Sequence, residues 1–563
     1  MATTTPATVP TPLTKTTGLS VEIWSMIIDY VLRPTDLKNL CLTCKQFHQI
    51  AVRPLYREVT LDVGSTADLN LGAFLNPRNA GLHYIRQLHI YLAEVQDKRN
   101  QLQQAHFAVR MILEFLPENI LERFSWHPWQ PFSADNLLLL YRKQRRMTWL
   151  EAISLDKNIL DQLEDSSDLA CIEEHTRTLG LYPDSRGVLD LCNTLIRKNR
   201  RVENLIINAS FNPADAGFSA RELHDSSTGP GLITSKLFGH MQPLEQCKPL
   251  ALTELTLQRV HLRYSADTYC RAIKFVTLKK LGIFECPGAC TLFAELSKSS
   301  KLPQSLEILE FKHEDNRESD ALHALDNFLY LVTGLKALTI DICNVGELPA
   351  AAGVVRHGKT LRQLNVHANN GLDAHGDEHV YSTADFRQIC RDCPYLEELS
   401  IGFPETSIMQ GKSDGFAAFE DDLNNLPNLV SLNITTWPKH SPSSGRLPRS
   451  IYTLLLQNIA QSLLAFHRPV LQMSGSDVPR SSHLNLIAFG AADRAHGRAD
   501  DERYQVVFIK GRQIDPFGSE SPLAVKVRGE LRKYVEPRSE VLNFALSRST
   551  RMPTDDGGSA PGW

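Results

Sequence analysis

Two hydrophobic rhythms divide this chain. Near the front, apolar residues recur at helical spacing. Ser20 is placed to cap a helix, with Glu22 in its first turn and Ile23, Ile27 and Val31 along one face. Pro34 breaks the chain, and Thr35 or Asp36 can cap a second helix carrying Leu37, Leu40 and Cys41. A third helix would hold Phe47, Ile50 and Ala51, with Pro54 expected to end it. Three short helices in so few residues make a small core, better stabilised by docking than alone.

The second rhythm is L-x-x-L-x-L. It recurs at Leu252/Leu255/Leu257, Leu278/Leu281/Ile283, Leu306/Leu309/Phe311 and Leu335/Leu338/Ile340. It continues at Leu361/Leu364/Val366, Leu396/Leu399/Ile401 and Leu429/Leu432/Ile434. Weaker copies lie upstream at Ile85/Leu88/Ile90, Leu121/Phe124/Trp126, Leu150/Ile153/Leu155, Thr176/Leu179/Leu181 and Val202/Leu205/Ile207. The commonest interval is about 26 to 29 residues, and segments 188–199, 321–332 and 383–393 between copies read as helices. The interval resembles that of leucine-rich repeats. It implies one strand and one helix per repeat, stacked as an irregular α/β solenoid with parallel concave strands and convex helices. Alternate strand residues share a face, so the last two apolar residues of each motif point inward. The residue one step past them then faces out. This row is Tyr91, His127, Asp156, Tyr182, Asn208, Gln258, Phe284, Lys312, Asp341, His367 and Thr435, and it is the candidate substrate face. Its mixture of signs and aromatics suits a protein better than a nucleic acid.

The front motif resembles the F-box. The resemblance is carried by Leu19, Glu22, Ile23, Ile27, Ile28, Asp36, Leu37, Leu40, Cys41, Cys44, Phe47 and Ile50, most tellingly by the run L-x-x-L-C-x-x-C-K-x-F. Ser20 stands where the family usually has Pro, and Ser is an acceptable helix cap. Membership of a fungal-type F-box/leucine-rich-repeat family implies a Skp-type adaptor as partner and, through it, a cullin. Leu19, Glu22, Ile23, Ile27, Ile28, Asp36, Leu37 and Leu40 are the expected adaptor-binding residues. The expected organisation is a tail at 1–17, the F-box-like motif at 18–62 and the repeat array at 63–482. A C-terminal β cap at 483–547 and a polar tail at 548–563 follow. The array is interrupted at about 210–249 by a Gly-, Pro- and Ser-rich stretch, expected to project beside the substrate face.

Composition narrows the function classes. With a net charge of −4, no overall footprint for nucleic acid or acidic lipid appears. There is no signal-like start and no apolar run of the ~18 residues a bilayer requires, so a cytoplasmic or nuclear location is expected. Eleven cysteines suit free thiols rather than a disulfide framework. Gly353 to Thr360 fits G-x-x-x-x-G-K-T, but a P-loop follows a strand and opens a helix. Here a helix-like LPAAAGVV precedes and a strand follows, so Gly358 reads as a helix C-cap. His375-Gly-Asp-Glu378-His379 falls in turn-forming sequence rather than on a zinc-protease helix. Cys390-x-x-Cys393 and Cys41-x-x-Cys44 are each half a zinc spacing, far apart, and the former reads as core packing. The sequence therefore predicts no catalytic residues, metal or cofactor. It predicts a ubiquitin-ligase substrate receptor for an unidentified protein. The alternative is a repeat scaffold acting outside a ubiquitin ligase.

Overall fold

A computed structural model describes residues 19–63, 71–91, 98–127, 131–152, 155–156, 158–159, 170–199, 201–209, 230–239, 248–314, 320–371, 378–407, 411–438, 448–467, 470–473, 476–479, 482–490, 505–514, 516–518 and 520–528. The chain forms two compact units, Met1–Glu122 and Arg123–Trp563.

In the first unit three helices, α1 (Val21–Ile28), α2 (Pro34–Thr43) and α3 (Lys45–Arg57), close over Ile28, Leu37, Ile50 and Ala51. Trp24 meets Phe47 edge-on, with ring centroids 5.0 Å apart. Pro34 opens α2 at a position where its missing amide costs nothing. Cys44 caps α3, its Sγ accepting from the Phe47 amide at 3.4 Å. Pro54 does not end α3, as expected from sequence, but lies inside it. Removing one amide near the end forfeits one bond while the buried face of Ile50 and Ala51 holds the helix. Strands β1 (Glu58–Asp62) and β2 (Gln87–Tyr91) then pair in parallel. A helix at Lys98–Phe115, which the Leu-based pattern missed, buries Ala105, Ala108, Val109 and Ile112 along one stripe.

The second unit is a long open sheet with helices between its strands. Its parallel strands follow chain order: β3 (Arg123–Trp126), β4 (Trp149–Ala152), β5 (Thr178–Leu181), β6 (Asn204–Asn208), β7 (Glu254–Gln258) and β8 (Lys280–Phe284). Then come β9 (Ile308–Glu314), β10 (Ala337–Cys343), β11 (Gln363–Ala368), β12 (Glu398–Ile401) and β13 (Ser431–Ile434). A small antiparallel hairpin, β14 (Val470–Met473) with β15 (Ser476–Pro479), stands apart. The sheet resumes with β16 (Leu486–Phe489), parallel to β13, and ends in antiparallel β17 (Val506–Ile514) and β18 (Glu520–Lys526).

Leu is repeated at one register position. Leu205, Leu255, Leu281, Leu309, Leu338, Leu364 and Leu399 pair in sequence across β6 to β12, all essentially buried. Helices at Arg186–Lys198, Ala321–Leu331 and Thr383–Asp392 coincide with the three expected segments. Their apolar sides supply Leu189, Leu195, Leu325, Phe328, Phe386 and Ile389 to the core.

One expectation fails in this unit. The weak copy at Leu150/Ile153/Leu155 is out of register: Leu150 itself pairs with Phe124 and Leu179, so β4 sits three residues earlier. Asp156 therefore lies outside β4, its amide bonded to the Phe132 carbonyl at 3.1 Å. Within the interruption, a helix at Leu232–Leu237 packs against the helix Arg186–Lys198. Asn193 of the helix Arg186–Lys198 donates to the carbonyls of Lys236 and Leu237, at 2.7 and 3.0 Å. Residues 210–229 and 240–247 lie outside the described residues.

Candidate functional site

The first unit presents an apolar helix face to solvent. Leu19, Ile23, Met26, Ile27 and Tyr30 recur three or four residues apart, and each is 43% exposed or more. Leu42 on α2 is 76% exposed. An eight-residue helix that leaves Ile23, Met26 and Ile27 in water keeps only Ile28 fully buried. A cluster of this kind marks an interaction surface.

Of the eight expected adaptor-binding residues, Leu19, Glu22, Ile23, Ile27 and Asp36 are exposed. Ile28 and Leu37 are not available: both are inside the helical core, and Leu40 packs against it. The periodicity marks which residues are apolar but not which of two faces each covers. Met26, Tyr30 and Leu42, exposed as well, were not singled out by that periodicity. Ser20 takes the cap position with extended backbone, but its hydroxyl bonds the Glu22 carboxylate rather than a backbone amide, holding that carboxyl below its usual range.

The second unit carries the row expected as the substrate face. Register places Asn208, Gln258, Phe284, Lys312, Asp341 and His367 side by side on adjacent strands β6 to β11, as one transverse ladder. Tyr182 and Thr435 lie one residue past β5 and β13, and His127 one past β3. The ladder is less open than its polarity suggests. Tyr182, Gln258, Phe284 and Asp341 are buried, and His127, Lys312 and His367 half-buried. Tyr91, in the first unit, is exposed. Strands about 4.8 Å apart let long side chains shield one another. Asp341 illustrates this: it accepts from His367 Nδ1 at 2.7 Å and lies 3.6 Å from Lys312 Nζ.

Two polar groups that the motif search did not single out for this surface join it. Glu151, 2% exposed, occupies the register position next to Ser125 and Gly180. Its carboxylate receives Arg123 at 3.1 Å and the Tyr182 hydroxyl at 2.9 Å, while Arg123 stacks 3.8 Å from the Trp149 ring. No local pattern could have found it, since the strand's register was misread. Glu151→Ala removes the buried carboxylate that Arg123 and Tyr182 share. It should lower stability by about 3 kcal/mol, read by chemical denaturation.

Glu378, the second, forms an isolated antiparallel bridge with Asn369 and accepts from the Thr435 hydroxyl. Desolvation, with Asp341 nearby, raises its pKa to about 7 despite the favourable His367. A carboxyl with a raised folded pKa leaves stability intact below its ordinary pKa of 4.5, and stability is lost as pH rises towards about 7. Glu378→Gln should therefore be more stable than the parent at pH 8 and no more stable at pH 4, as thermal melts across pH would report.

The remaining motifs fall as follows. In the G-x-x-x-x-G-K-T segment, a helix (Ala351–Val355) precedes and β11 follows. Gly358 is not the helix C-cap expected: Arg356 caps the helix, the backbone at 358 is not left-handed, and a Cβ there would overlap the Asp392 carbonyl oxygen. His375 lies outside the described residues. His379 is engaged with the Val345 carbonyl at 2.8 Å. Cys390 and Cys393 are buried, and burial pushes both thiols up, Cys393 to about 12. Among the described residues, no three His, Cys, Asp or Glu side chains converge as metal ligands would, and no helix is long and apolar enough to cross a membrane.

A family model for the F-box-like domain matches residues 21–62. The chain thus carries an F-box-like domain, and such domains generally bind Skp-type adaptors of ubiquitin ligases. No curated protein matches the chain.

Proposed function

We propose that this chain is a substrate-recognition subunit of an SCF-type ubiquitin ligase. The reading is carried by the exposed row Leu19, Ile23, Met26, Ile27 and Tyr30 on an F-box-like domain that has its own small core already filled. The Skp-type adaptor covers that row and links the chain to a cullin. The second unit is read as a leucine-rich-repeat-like solenoid of the fungal F-box/leucine-rich-repeat type. Support comes from the recurring L-x-x-L-x-L motif and the in-register Leu ladder. Its transverse ladder from Asn208 to His367 receives a protein substrate. The chain contributes no chemistry of its own. It raises the local concentration of substrate at the conjugating enzyme, as tethering does.

The test is gel filtration of the full chain with a purified Skp-type adaptor and its cullin. A ternary complex is expected. A chain that stays folded and elutes alone would favour a scaffold acting outside a ubiquitin ligase.

A further inference from the structure

A second surface of the Arg123–Trp563 unit is charged and is not part of the strand-face ladder. Three consecutive helix-to-strand turns, entering β4, β5 and β6, carry Arg142, Arg145, Arg146, Arg177, Arg197 and Arg201, all exposed. Hydrogen bonds hold these turns side by side. The Tyr141 hydroxyl lies 3.3 Å from that of Thr176, and the Arg177 amide donates to the Thr148 carbonyl at 2.8 Å. The Asn199 side chain donates to the Thr176 carbonyl at 2.9 Å, and Arg201 to that of Glu174 at 2.9 Å. The six arginines therefore belong to one contiguous edge rather than to scattered loops. The chain as a whole is acidic, at −4, so this is segregation of charge and not general basicity.

Helix dipoles explain only part of it. A cation in the last turn is favourable, which covers Arg142 and Arg197. Arg145, Arg146, Arg177 and Arg201 lie beyond the helix ends. Neither Arg146 nor Arg197 has an ion-pair partner among the described residues. The acidic residues of these turns are Glu173, Glu174 and Glu203, of which Glu203 pairs with Arg177 at 3.0 Å.

We infer that this edge is a docking surface for an acidic protein segment, separate from the adaptor face and from the strand-face ladder. Guanidinium groups present a planar fork that matches carboxylates in pairs, and a set of six exposed arginines, with Lys143 and Lys198 half-buried beside them, favours that chemistry over simple charge neutralisation. A protein partner fits better than a nucleic acid. Base stacking needs exposed aromatic rings, and none stands exposed among the described residues of these turns.

The test uses the full chain and a fluorescent peptide of alternating Asp and Glu, read by anisotropy. Single-stranded DNA and vesicles containing phosphatidylserine serve as competitors. Binding should be saturable and weaken about tenfold or more when salt rises from about 50 to 300 mM, since exposed charges are screened. R145E/R146E/R197E should lose it by at least tenfold, while R145Q/R146Q/R197Q falls between. Thermal melts should match the parent, because the three side chains are exposed. Capture of the adaptor should be unaffected, which separates failure here from failure of the proposed function. The inference is overturned if the triple reversal binds the peptide as tightly as the parent. It is equally overturned if DNA or vesicles bind the patch more tightly than the peptide does.

Discussion

Ile23→Asp with Ile27→Asp weakens capture of a Skp-type adaptor by at least about a hundredfold, while the protein remains folded. The magnitude follows from burial. Covering one isoleucine is worth roughly 1.5 to 3 kcal/mol, and a hundredfold loss corresponds to about 2.8 kcal/mol, so two together suffice. The variant also leaves a carboxylate unpaired wherever the partner closes over it, which adds to the loss. The domain itself should tolerate the change, since its core is built from Ile28, Leu37, Ile50 and Ala51, and the two altered side chains are 43% exposed. Ile28→Asp is the contrasting control. It should unfold the three helices and abolish capture through loss of structure, visible as lost helical circular dichroism. Adaptor titration calorimetry with melts of each variant separates the two.

Gly358→Ala destabilises the Arg123–Trp563 unit by at least about 3 kcal/mol, whereas Lys359→Ala changes stability little. The new methyl would overlap the Asp392 carbonyl oxygen and come close to the Val355 carbonyl, and backbone atoms cannot swing aside as a flexible side chain can. The two residues sit in the one stretch that spells a nucleotide-binding signature. If the glycine served a phosphate, its replacement would alter ligand binding more than folding. Here its role is close packing between the turn before β11 and the end of the helix Thr383–Asp392. Chemical denaturation of both variants reads the difference directly.

The sheet was legible in the sequence because one residue type is repeated at one register position. Leu255, Leu281, Leu309 and Leu338 are buried for the same reason in each strand, so one pattern located them all. The exceptions have physical causes. At β4, Ile153 and Leu155 mimic the motif three residues late, and only pairing of Leu150 with Phe124 and Leu179 fixes the register. The misreading displaced Asp156 onto the ladder and hid Glu151. The helix Lys98–Phe115 escaped because its buried stripe is mostly Ala, Val and Ile, with Leu113 only near its end. At the candidate site, helical spacing identified the apolar residues of α1 but could not assign them to core or solvent. Ile27 and Ile28 are neighbours in sequence and opposites in exposure, at 43% and 2%. The ladder's composition was read correctly from Gln258 to His367, but its burial was not, because neighbouring strands supply the shielding.

Hydrogen exchange on the full chain, with and without a purified Skp-type adaptor, tests the central claim most directly. The account predicts a stable complex in which amide protection rises over residues 19–43 and the strand ladder from Asn208 to His367 stays unchanged. A folded chain whose 19–43 segment exchanges identically with and without the adaptor would contradict it.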